Sequence, residues 1–114
     1  MTIEDEMLRL PNLKHVGIAL VQFVQSLQKG DFVRKETDWI FVPSRFVAFG
    51  FPKRGVEQIR MQFRQFFPQH LDEKDEQILK LYDGRYHHFK CFITEPRQLA
   101  CAAKYLELSH QRPC

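Results

Sequence analysis

The sequence predicts an α+β fold: an antiparallel sheet of about four strands with N-terminal and C-terminal helices packed on it. Three observations carry this. Apolar residues recur at three- and four-residue spacing over residues 12–29, give way to short aromatic and β-branched runs between 39 and 93, and return to helical spacing after Pro96. Turn chemistry punctuates the middle at Pro43-Ser44, at Pro52-Lys53-Arg54-Gly55 and at Asp83-Gly84. The 114 residues match the commonest domain size, and no repeat, low-complexity tract or linker divides them. One domain over 1–114 is expected.

Each element has its own warrant. Thr2 caps a short, peripheral helix over about 3–10 that Pro11 ends. Asn12 caps the next, in which Val16, Ala19, Leu20, Phe23, Val24 and Leu27 form a stripe and Gly30 supplies the stop. Trp39–Val42 and Phe46–Phe51 read as central strands, apolar on both faces. Residues 56–67 fit either a helix, with a Val56/Ile59/Phe63/Phe66 stripe, or a strand. The strict alternation of Ile59, Met61 and Phe63 with Gln58, Arg60, Gln62 and Arg64 favours the strand. Asp72–Glu76 reads as a solvated loop or the first turn of a short helix reaching Leu81. Tyr86–Ile93 is the closing strand, and Thr94 caps a helix near 95–109 whose buried face is Leu99, Ala102, Ala103, Leu106 and His110.

Composition excludes several classes. The formal charge is +3, too small to demand a nucleic acid or a membrane, and no apolar run approaches the roughly 18 residues that span a bilayer. Glu4, Asp5 and Glu6 near the start are the opposite of a signal peptide's basic beginning, so a cytoplasmic location is expected. Three cysteines without C-x-x-C spacing argue against a disulfide framework. Cys91 and Cys101 read as small buried hydrophobes and Cys114 as an exposed thiol. No Ser lies in G-x-S-x-G, no glycine-rich phosphate loop occurs, and no carboxylates pair as acid and base. No enzymatic activity and no cofactor are expected.

Three constellations remain. His87 and His88 point to opposite faces of a strand and cannot share one ion; His87 is expected in the core with Phe89 and Cys91, and His88 beside Tyr86 and Lys90. Asp72, Glu73, Asp75 and Glu76 could attract a hard cation, but they lack calcium-loop spacing and enclose Lys74. The strongest is Gln58, Arg60, Gln62 and Arg64, which project from one strand face, with Lys53 and Arg54 in the adjoining turn. Arg and Gln pair bidentately with base edges, and Arg grips phosphate. The plain alternative is the wet face of an amphipathic strand, and a third reading is a protein interface.

Phe46-Val47-Ala48-Phe49, the strand around Ile59–Phe63, and the segment Ile78–Ile93 with Asp83-Gly84-Arg85-Tyr86-His87-His88 resemble the small YdhG-like domains. The resemblance implies helices on an antiparallel sheet; some such domains are proposed to handle intracellular iron in a frataxin-like way, and related small domains to bind DNA. Tyr82-Asp83-Gly84-Arg85 departs from the usual glycine-rich turn, and no ligand residue carries over.

The functional expectation is a non-catalytic binding or accessory domain that contacts nucleic acid or another polyanion through Lys53, Arg54, Gln58, Arg60, Gln62 and Arg64. Two alternatives stand beside it. One is an iron-handling protein using Asp72, Glu73, Asp75 and Glu76; the other is a homo-oligomer whose interface uses the eleven Phe.

Overall fold

In the computed structural model, which describes residues 1–51, 55–66 and 68–111, the chain is an α+β fold built on a six-stranded antiparallel sheet. The helices are α1 (Ile3–Leu8), α2 (Lys14–Leu27), α3 (Glu73–Ile78) and α4 (Leu99–Gln111). The strands are β1 (Asp31–Lys35), β2 (Asp38–Val42), β3 (Val47–Gly50), β4 (Ile59–Arg64), β5 (Tyr82–Asp83) and β6 (His88–Ile93), in spatial order β1-β2-β3-β4-β6-β5. Both additions to the sequence reading, β1 and β5, lie at the sheet's edges. An edge strand buries little, so β1 is almost wholly exposed and gives no alternating pattern to read.

The strand reading of 56–67 holds over Ile59–Arg64. Ile59, Met61 and Phe63 are fully buried, and Arg60, Gln62 and Arg64 are half-buried on the other face. Each of the three apolar side chains contributes about 1.5–3 kcal/mol by leaving water. Phe63 stacks on Tyr105 of α4 at 5.9 Å between ring centroids. A second aromatic group forms where Phe41 meets Phe32 at 5.1 Å and Phe46 at 5.7 Å. All ten described phenylalanines are buried or half-buried, so the aromatic excess goes into the core and its margin.

Helix α1 is not peripheral. Ile3 and Met7 are buried in the core, and Gly17 of α2 is what admits Met7, whose sulfur occupies the space a Cβ at 17 would take. Thr2 caps α1 as expected, exchanging hydrogen bonds with Asp5. Asn12 does not cap α2. The Glu57 carboxylate, remote in sequence, accepts from the backbone N–H of Asn12 at 2.7 Å and of Leu13 at 2.9 Å, and from Asn12 Nδ2 at 3.0 Å. Helix α2 ends at Leu27 with Gln28 extended. Gly30 serves instead as a close approach, since a Cβ there would meet the Val42 carbonyl and the Phe41 ring.

The entry to α4 is also capped differently. Gln98 Oε1 accepts from the backbone of Thr94 at 2.8 Å and of Glu95 at 3.1 Å, so Thr94 is served rather than serving. The buried stripe of α4 is Cys101, Ala102, Tyr105, Leu106 and Ser109; Leu99, Ala103 and His110 are half-buried. Helix α3 buries none of its own residues and is held by polar contacts. Gln98 Nε2 donates to the Ile78 carbonyl at 2.9 Å and the Tyr105 hydroxyl to that of Leu79 at 3.0 Å, which satisfies carbonyls that a helix end leaves unpaired. Among the described residues no helix is long and apolar enough to cross a membrane.

Candidate functional site

Because α1, α2 and α4 supply the core on one face of the sheet, the alternate residues of each strand form a second, open face. Register fixes its layout. Ile40, Ala48, Gln62, Lys90 and Tyr82 stand in one row across β2, β3, β4, β6 and β5, and Lys35, Asp38, Gly50, Arg60 and Phe92 form the next. Two adjoining cavities of about 510 and 500 Å³ lie over these rows, sharing Asp38, Gln62, Arg85 and Tyr86 in their walls. The first is completed by Lys35, Ile40, Arg45, Ala48 and His88, the second by Arg60, Asp83, Gly84 and Lys90. Together they make one groove.

Five cationic side chains, Lys35, Arg45, Arg60, Arg85 and Lys90, line this groove against two carboxylates, Asp38 and Asp83. One pair cancels locally: Arg60 reaches across β3 to Asp38 on β2 and binds it. Gly50 makes that reach geometrically open, because a Cβ at 50 would collide with the Arg60 guanidinium and lie 2.6 Å from Asp38 Oδ1. Here the ion pair crosses the central strand directly above a residue that presents no side chain.

The turn after β5 forms the groove's outer wall. The His88 backbone N–H donates to the Arg85 carbonyl at 3.2 Å, closing a four-residue turn whose central residues, Tyr86 and His87, have φ of 58° and 59°. Two consecutive left-handed residues define a primed hairpin turn, where Asn-Gly is the favoured pair. Neither Tyr nor His is at ease there, at a cost of order 1–3 kcal/mol each. The result is Tyr86 held at the tip, 86% exposed, beside the groove. At the β5–β6 edge, Tyr82 meets Phe92 at 5.9 Å, while Lys80 sits 5.2 Å from the Tyr82 ring and Lys90 5.9 Å from the Phe92 ring. Cations and aromatic rings are therefore interleaved on one surface.

The structure separates the six residues singled out from the sequence. Arg60 and Gln62 line the groove. Arg64 donates to the Ser44 carbonyl at 3.2 Å, and Gln58 precedes β4 outside both cavities. Lys53 and Arg54 lie outside the described residues, as does Cys114. Lys35, Arg45, Arg85 and Tyr86 were missed as site residues because only register and the turns bring them to β4. The one signal available was alternation in β6, which correctly places His88 and Lys90 on a shared face. His87 is not in the core: it is exposed, because the strand begins one residue later.

The acidic segment is spent on structure. Asp72 caps α3 through the Lys74 N–H at 2.9 Å, and Asp75 pairs with Lys104 of α4 at 2.6 Å, leaving Glu73 and Glu76 on the helix surface. Among the described residues no three His, Cys, Asp or Glu side chains come together to hold a metal ion. Cys91 and Cys101 are both buried free thiols, and burial pushes both pKa values upward, away from the reactive thiolate. The groove can bind anions, hydrogen-bond polar edges and stack flat rings. No family model, no curated protein and no solved structure matches this chain.

Proposed function

We propose that this protein is a non-catalytic binding module that takes nucleic acid in the groove on the open face of its sheet. The observation that carries the reading is the gathering of Lys35, Arg45, Arg85 and Lys90 around Gln62, with exposed tyrosines at the rim. Cationic side chains supply phosphate affinity, and Gln62 offers both a donor and an acceptor for a base edge. A purely anionic small ligand would not need the aromatic rim. The formal charge of +3 matters less than its local concentration here.

The test is fluorescence anisotropy with a labelled oligonucleotide across a salt series. Micromolar binding is expected, with log K falling against log salt at a slope of about −2 to −3, as for three or four phosphate contacts on a single strand. Replacing Lys35, Arg85 and Lys90 together by Ala should flatten that slope by about two. No binding at low salt removes the reading.

A further inference from the structure

Resting on that reading, we infer that the groove selects single-stranded nucleic acid and that Tyr86 is the residue on which an unpaired base stacks. Four observations converge on it. Tyr86 is 86% exposed, more than any other exposed large hydrophobic residue described, yet it belongs to the wall of both cavities rather than to a free loop. Its backbone is held in a left-handed conformation at φ 58°, beside a second such residue at 59°. A turn built only to reverse the chain would be relieved by Gly at either position. The strain is retained where it fixes an aromatic ring beside a groove lined with cations.

The third observation is the groove's lining. Ile40 and Ala48, both apolar, lie in one row with Gln62 and Lys90 and line the same cavity as Tyr86, an apolar stretch against which a base can rest. Arg85 stands next to Tyr86, and Lys35 and Arg45 share the same cavity, so phosphates flanking a stacked base meet cations on more than one side. The fourth is a further aromatic station, the Tyr82–Phe92 pair, at the β5–β6 edge of the same face. A duplex hides the flat faces of its bases inside its own stack and shows an aromatic ring only phosphates and edges. A single strand presents those faces, and every base has one, so the recognition is tolerant of sequence.

The experiment compares three labelled ligands on the intact chain by anisotropy: a ten-nucleotide single strand, the same length with abasic sites throughout, and the matching duplex. Wild type should bind the intact strand more tightly than either the abasic strand or the duplex. Tyr86→Ala should weaken the intact strand by about five- to 150-fold, the loss of one stacked base, and leave the abasic strand unchanged. Tyr86→Phe, which keeps the ring, should bind as wild type does. An unchanged melting curve confirms that the exposed substitution leaves the fold intact. Equal affinity for intact and abasic strands, or a duplex that binds as well as the single strand, overturns the inference while leaving nucleic-acid binding standing. No binding to any of the three overturns both.

Discussion

Gly50 and Gly17 show how one missing side chain can have opposite consequences. At Gly50 a Cβ would strike the far ends of Arg60 and Asp38, which are flexible, so Gly50→Ala should part that ion pair for about 1 kcal/mol or less. At Gly17 a Cβ would enter the core against Met7, 2.9 Å from its Cγ and 3.1 Å from its Cβ. Overpacking of about 1–3 kcal/mol should outweigh the ~1 kcal/mol that Ala gains in a helix, so Gly17→Ala destabilises. Met7→Ala should cost about 2–5 kcal/mol, and the double substitution should cost clearly less than the two singles summed. Urea denaturation of the three variants measures this coupling; strict additivity would deny the contact. Ser109 is a third case, a fully buried hydroxyl with no hydrogen-bond partner among the described residues. Ser109→Ala should raise stability by about 1 kcal/mol, because it removes an uncompensated polar group.

Elements are joined here by long-range capping, and that is where sequence reading lost its grip. The alternation in β4 and the stripe in α2 were legible because burial follows a fixed period. What holds the chain at the entry to α2 was not, since Glu57, which accepts from the Asn12 and Leu13 N–H groups just before the helix, comes from the far side of β1, β2 and β3. Burial pushes the Glu57 carboxyl up, but hydrogen bonds from Asn12 and Leu13 outweigh it and leave the pKa below its ordinary value of 4.5. A depressed folded value means the stabilisation is complete above the unfolded pKa and is lost as pH falls through the folded one. Glu57→Gln should therefore lower the melting temperature at pH 7 and lessen the acid-side fall of the stability curve below about pH 4.5. A parallel fall in both proteins would contradict the assignment. The α3–α4 junction behaves similarly: Tyr105→Phe strips the Leu79 carbonyl of its donor and should cost about 1–3 kcal/mol. Strand β5, two residues long and exposed, had too little pattern to be seen.

At the scale of the whole molecule the chain divides into a helical face that stabilises and an open sheet face that is left polar, strained and partly aromatic. Its groove draws on all six strands and two turns, so no window of sequence could have revealed it. The run Arg60-Met61-Gln62 marked the right face but only two of the lining residues. The central claim, that the open face is the binding surface, is tested most directly by amide chemical-shift mapping of the labelled protein titrated with a short single-stranded oligonucleotide. The expected result is a continuous set of shifting signals from Lys35, Arg45, Gln62, Arg85, Tyr86, His88 and Lys90, with the exposed faces of α2 and α4 unmoved. Shifts confined to the helices, or scattered without regard to face, would contradict the account.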